Sequence, residues 1–358
     1  KAISLNVDTV TASSVQGNVI DGISHTTNAS GTGASSPCIL IFIDNGHVNT
    51  GTESGNIIGS LSGMGRIAFS SGSTNTSNII GISNYGVSNW KCNQNSIGGI
   101  VVSNSSTGTS NFYAIVANMT SSDTIEIENN SIGGVDSASI YSTTTSNSSQ
   151  VVGILCDNPS GSITGNRVRN LMSSAGSSTN EFASVIGISV KNTSSVATLN
   201  ISGNNISRLR NTDSLTSSVI SGIYNGASTG SNSIAKNLIT LFISRSFSST
   251  INGILSEGGT TTFSNNMISL GEGLSIFDLA FSVKINGINE ISGSNKFYFN
   301  SVYVGGSSSN VSSPSSNTYA FLSSVKNSTR YIKNNILYNS IYKINEKNYY
   351  IKLTEQRH

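Results

Sequence analysis

Ten evenly spaced copies of one short phrase run down the chain: Asn, any residue, then Ile or Val. They are Asn18-Val19-Ile20, Asn56-Ile57-Ile58, Asn95-Ser96-Ile97, Asn130-Ser131-Ile132 and Asn166-Arg167-Val168, then Asn204-Asn205-Ile206, Asn237-Leu238-Ile239, Asn266-Met267-Ile268, Asn300-Ser301-Val302 and Asn334-Asn335-Ile336. Successive marked Asn residues are 38, 39, 35, 36, 38, 33, 29, 34 and 34 positions apart. A period in this range marks a repeat architecture. A second marker, a small residue followed by a large one, keeps the same rhythm. It comprises Gly81-Ile82, Ala114-Ile115, Gly153-Ile154, Gly187-Ile188, Gly222-Ile223, Gly253-Ile254, Gly287-Ile288 and Ala320-Phe321.

Each period holds three short apolar segments: one just before the marked Asn, one just after it, and one carrying the small-large pair. Segments of three to five residues are too short for helices, and their alternation suits strands. Asn-Gly and Asp-Gly hairpin turns at fixed places are absent, which argues against an antiparallel meander. The expected fold is all-β: a parallel β-helix, or β-solenoid, of about ten coils of three strands, each strand pairing with its equivalent one period later. Stacking brings equivalent Asn residues to about 4.8 Å, so that the side-chain amide of one can donate to the carbonyl of the next. Asn also tolerates the left-handed conformation such a turn requires. Each ladder bond is worth about 0.5–1.5 kcal/mol net, and each buried Ile about 1.5–3 kcal/mol. Ten coils would extend about 48 Å. One solenoid domain is expected over residues 1–340, with a last strand and a basic tail over 341–358, where seven of the 19 basic residues lie at or after Lys326.

Composition excludes several functions. Charged residues make up 10% of the chain, against about 25% in ordinary soluble domains. The formal net charge of +2 gives no general drive toward nucleic acid or an acidic membrane. No stretch approaches the length of an apolar membrane helix. With no starting Met and no signal peptide, the chain reads as a mature product or an excised piece. Neither end shows a capping helix, so the expectation is part of a longer protein or, failing that, end-to-end self-association. Cys38, Cys92 and Cys156 are too few for a disulfide framework and read as small buried hydrophobes.

The longest connectors join the second and third segments: Ser137–Gln150, Ser173–Ser184, Asn211–Ser218, Gly271–Ser282 and Gly305–Asn317. All should emerge from one edge, where a binding face or simply tolerated loops would sit. The stretch Leu274–Phe281, with Ile276, Phe277, Leu279 and Phe281, is the most apolar connector.

The pattern resembles the right-handed parallel β-helix proteins of the pectate-lyase-like group. More narrowly, it resembles the long repeat surface proteins of bacteria that use type IX secretion. The phrases that carry this are Ile251-Asn252-Gly253-Ile254, Ser264-Asn265-Asn266-Met267-Ile268-Ser269, Tyr298-Phe299-Asn300-Ser301-Val302-Tyr303 and Thr329-Arg330-Tyr331-Ile332-Lys333-Asn334-Asn335-Ile336. The resemblance implies an exported, secreted or cell-surface scaffold. It also implies that Asp-Ser/Thr-aliphatic triplets are O-glycosylation signals, which places candidate sites at Thr9, Thr124, Ser137 and Ser214. The C-terminal sorting domain usual in those proteins is missing here.

Catalysis is hard to locate. Glycoside hydrolysis needs paired carboxylates about 5–10 Å apart, and the 17 acids are thinly spread. Glu126 and Glu128 form an i,i+2 pair facing one way, with no acid in phase on the next coil. Asn211-Thr212-Asp213 resembles a polygalacturonase motif, but its companion motifs are absent. His25 and His47 stand alone, whereas zinc needs three or four ligands, so no metal or cofactor is expected. Arg167, Arg169, Arg208 and Arg210 form two Arg-x-Arg pairs on consecutive coils and are a candidate contact patch for an anionic glycan; the competing reading is a solvated outer face. Thr260-Thr261-Thr262 and Thr143–Thr145 are isolated, which disfavours an ice-binding array. The expected function is a non-catalytic extracellular scaffold, an adhesin or filament component. A polysaccharide-binding module or a carbohydrate-active lyase or glycosidase is the alternative.

Overall fold

The computed structural model describes residues 1–86, 89–118, 123–136, 138–146, 148–158, 160–177, 179–191, 197–214, 216–227, 229–246, 248–271, 282–306, 317–340 and 349–353. Parallel sheets stack along the axis of a β-solenoid; neighbouring strands of a sheet are four apart in sequence through the first seven coils, where a fourth sheet is present, and three apart beyond them. The long sheet has eleven strands, from Ile3–Asn6 to Tyr349–Leu353. The pre-turn sheet, Ser13–Val15 to Tyr331–Lys333, has ten, and so has the post-turn sheet, Val19–Ile20 to Ile336–Asn339. These are the three strand classes expected from the sequence. A short sheet of seven strands, Ile23–Thr27 to Ile243–Ser244, is added between the post-turn and long sheets. It occupies the variable connectors of the first seven coils, so part of each apparent loop is a wall. The later connectors, including Leu274–Phe281, lie largely outside the described residues.

Three aliphatic columns meet in the interior. In the long sheet Ile41, Ile82, Ile115, Ile154, Ile188, Ile223, Ile254, Ile288 and Phe321 lie in register. In the post-turn sheet Ile20, Ile58, Ile97, Ile132, Val168, Ile206, Ile239, Ile268, Val302 and Leu337 do the same. The pre-turn sheet contributes Ile127, Ile163, Ile201, Ile234, Phe263 and Phe297. Toward the C-terminal coils the filling turns aromatic. Phe263 stacks on Phe297 at 4.9 Å, and Phe297 meets Phe321 edge-on at 4.8 Å.

The Gly of the second marker is a matter of space. A Cβ on Gly187 would lie 2.6 Å from the Gly222 carbonyl and 2.6 Å from Ile206 Cγ2. The column of small residues therefore lets the long sheet close onto the post-turn column. The long sheet is also covered on its outer face. Ile39, Phe42, Ile80, Val116, Val152, Ile186 and Leu255 form a second buried cluster with Ala183 of the preceding connector. Burial on both faces explains why these strands read as nearly continuous apolar runs, whereas the pre-turn strands alternate.

The Asn ladder is unbroken from Asn18 to Asn335. Each interior Asn closes several bonds at once. In Asn166, Nδ2 donates to Asn204 Oδ1 at 3.0 Å and to the Ile127 carbonyl at 2.8 Å. Its Oδ1 accepts from the backbone N–H and Nδ2 of Asn130, at 3.0 and 2.9 Å. Two details depart from the sequence reading. The left-handed turn conformation belongs to the residue before the ladder Asn: Gln94, Asn129, Lys236, Asn265 and Phe299 all have φ of 54–59°. In the last coil the marked Asn334 occupies that left-handed place, with φ of 56°. Asn335 joins the ladder, accepting from Asn300 Nδ2 at 2.9 Å, and Ile336 turns outward with 70% exposure while Leu337 aligns with the core column.

Two tests follow from this packing. Asn166→Ala strands the N–H of Asn130 and should cost about 3 kcal/mol in urea unfolding, with a clearly smaller loss for Asn335→Ala at the end of the ladder. Gly187→Val should lower the unfolding midpoint more than Ala114→Gly does, because only the first forces bulk into an occupied site.

Candidate ligand-binding faces

The outward side chains of the post-turn sheet change identity from coil to coil. In register they run Val19, Ile57, Ser96, Ser131, Arg167, Asn205, Leu238, Met267, Ser301 and Ile336. Arginine marks the middle of this face. An apolar groove of about 300 Å³ lies at its C-terminal end, where Leu238, Met267 and Ile336 flank the stacked pair Tyr303 and Tyr338.

The four candidate arginines fall on neighbouring coils, as the sequence suggested, but not in phase. Arg167 pairs with Asn205 and Arg169 with Ser207 in the post-turn sheet. Arg208, with φ of 56°, stands at the corner beyond them, and Arg210 pairs with Met172 in the short sheet. They therefore wrap a corner between two sheets. Arg167 and Arg208 are exposed, and Arg169 and Arg210 are half-buried. Desolvation, reinforced by the charges of Arg167 and Arg208, holds the Arg169 guanidinium below its ordinary pKa. Nε of Arg169 and Nε of Arg210 are buried without a hydrogen-bond partner, and among the described residues no carboxylate pairs with any of the four.

The other candidates serve the fold. Glu126 and Glu128 do face the same way, but Glu126 pairs with Lys91 Nζ at 2.8 Å. Glu128 accepts from Ser162 Oγ at 3.1 Å and Thr164 Oγ1 at 3.0 Å on the next coil. Asn211 is buried, donating to the Ala175 carbonyl at 2.7 Å and Ser184 Oγ at 2.9 Å, so the Asn-Thr-Asp triplet braces a corner. His25 packs on Phe69 at 5.5 Å, and the His47 backbone pairs with Asp8 and Ser13. The three cysteines are free thiols; Cys92 and Cys156 are buried, and burial raises the pKa of each of the three. Thr9, Thr124 and Ser214 are exposed, with Thr124 Oγ1 donating to Asn89 Oδ1 at 2.7 Å. Ser137 lies outside the described residues.

Sequence reasoning missed two charged assemblies. On the outer face of the long sheet, Lys191 holds Glu181 of the connector at 2.6 Å. Tyr224 Oη and Asn180 Nδ2 donate to Glu257 at 2.7 and 2.8 Å. Asp157 lies in register with Lys191, and burial raises its carboxyl above the usual range. These acids come together only because the connector folds back over the sheet, so their sequence spacing carries no signal. The second assembly is internal. Glu290 is fully buried, accepting from Ser323 Oγ at 2.6 Å and Asn295 Nδ2 at 3.0 Å, with Arg330 Nε 3.9 Å away. Its in-phase neighbours Ser256 and Ser323 mark a polar column that hydropathy alone would read as surface.

Burial raises the Glu290 carboxyl above its ordinary value, against the opposing hydrogen bonds and Arg330. Through the window between the unfolded and folded values, the folded chain holds more protons than the unfolded one. Stability from this group is therefore greatest below that window and falls as pH rises through it. Glu290→Gln should remove that slope, so the difference in urea midpoint between variant and parent should move in the variant's favour from about pH 4 to about pH 7.

Comparison with known protein families, curated proteins and solved structures finds no match to this chain.

Proposed function

We propose that this chain is a non-catalytic structural or adhesive β-solenoid, exported to the cell surface or secreted, and part of a larger protein or a filament. One observation carries the reading. The residues that recur in every coil are consumed by the fold, while among the described residues no outward row carries acids in register on successive coils. Apart from the half-buried end residues Asn18, Asn335 and Leu337, the Asn column, the aliphatic columns and the small-residue column are buried. Outward acids such as Glu126, Glu128, Glu181 and Glu257 are held by partners of the fold. Such a surface serves as a rigid spacer whose contacts are local.

The resemblance to pectate-lyase-like β-helices and to repeat surface proteins exported by type IX secretion supports an extracellular setting, and with it a polysaccharide as the natural contact. Glycosylation at Thr9, Thr124 or Ser214 and end-to-end self-association belong to the same proposal, as does the absence of nucleic acid and membrane insertion among its partners. Among the described residues no helix is long and apolar enough to cross a membrane. A polysaccharide-binding role has one specific observation in its favour, the unpartnered Nε atoms of Arg169 and Arg210. A lyase or glycosidase has the Asp157, Glu181 and Glu257 assembly, but there two of the three acids are already held by Lys191, Tyr224 and Asn180.

The deciding measurement is a digestion screen across neutral and acidic polysaccharides. No reducing ends and no unsaturated products should appear with any of them; release of either from one substrate removes the non-catalytic reading.

A further inference from the structure

The corner formed by Arg167, Arg169, Arg208 and Arg210 leaves an electrostatic problem unsolved. Like charges crowd together there, and Arg169 titrates low because of its desolvation and its cationic neighbours. Two guanidinium N–H groups are buried with nothing to donate to. Native structures rarely leave such groups unpaired, and a bound anion or water is the usual resolution. By contrast, Lys91, Lys191 and Arg66 each meet a carboxylate.

We propose that this corner binds a tetrahedral oxyanion ester, a sulfate or a phosphate, carried by a polysaccharide lying along the solenoid. The inference rests on the scaffold reading above and names its ligand class. Three features select this ligand. Guanidinium groups reach the site from two sheets and the corner between them. An ester anion with three terminal oxygens accepts from more directions than a planar carboxylate does. The basic patch spans two coils, and the net charge of the whole chain is only +2. A ligand with charge along its full length, such as a nucleic acid, would find no continuing stripe. Along the axis, the Arg167 row turns apolar beyond Asn205, at Leu238 and Met267, but it carries Ser131 and Asn205 beside the corner, and the Arg169 row continues through Ser207, Thr240 and Ser269. These neutral hydroxyl and amide groups recur at about the 4.8 Å strand spacing and suit the hydroxyls of sugars.

The test is binding of the full chain to dextran sulfate, a phosphorylated mannan, polygalacturonate and unmodified dextran, followed by calorimetry at low and raised salt. Dextran sulfate or the phosphomannan should bind in a salt-sensitive manner, and the preference between them identifies the ester. Polygalacturonate should bind at least tenfold more weakly, and dextran should not bind. Arg169→Gln and Arg208→Gln should each weaken binding by about tenfold. Arg169→Lys, which keeps the charge but loses the fork, should lie between parent and Gln variant. A far-UV spectrum matching the parent's shows that the variants fold. Arg66→Gln, remote from the corner, should leave binding unchanged. The proposal is overturned if neither ester polymer binds, if polygalacturonate binds as well as they do, or if the Arg169 and Arg208 variants bind like the parent. Failure here leaves the scaffold reading intact, because that reading turns on product release; product release with binding intact would remove the scaffold and keep the site.

Discussion

Everything in this molecule depends on the stacking of one coil on the next at the strand spacing. No coil can bury its own apolar side chains, and no coil can satisfy its own backbone. Each Asn of the ladder makes the dependence explicit: Asn166 donates to a carbonyl of the coil before it and to the amide of the coil after it. The backbone N–H of each ladder residue finds its acceptor in the next side chain along, as Asn56 does in Asn95 at 3.0 Å. The polar turn and the apolar columns are therefore two aspects of one registration. The ladder fixes which residue sits at the corner, and the corner fixes which face of the next strand turns inward.

This registration explains how much of the fold could be read from residues alone. Asn-x-Ile and Gly-Ile are visible because a buried amide and a site with no room for a Cβ tolerate few substitutes. The short sheet was hidden because its strands are brief and their core residues, Ile67, Ile100, Ile140 and Leu171, sit among Ser and Gly that suggest loop. The slip at Asn334 had a similar cause. Two adjacent Asn residues both precede an aliphatic residue, and only the stacking partner, Asn300, decides between them.

The candidate sites were legible only where chemistry followed the repeat. The arginines were found because they recur one coil apart, although the corner that joins them depends on the unseen short sheet. Asp157, Glu181 and Glu257 were not found, because a folded connector rather than the period brings Glu181 to Lys191. Glu290 was not found because its environment is built from Ser323, Asn295 and Arg330, which look like surface residues in one dimension.

The coil lengths have an implication for how such a chain changes over time. Spacings between ladder residues range from 29 to 39 positions, yet the ladder stays continuous, because the variation is absorbed outside the turn. Gain or loss of a whole coil would keep every column in phase and merely slide the arginine corner along the axis by one strand spacing. Loss of a single residue between a ladder Asn and its core aliphatic would instead turn the following strand inside out. Length is thus freely tunable in units of a coil, and the surface chemistry can be relocated without redesigning the interior.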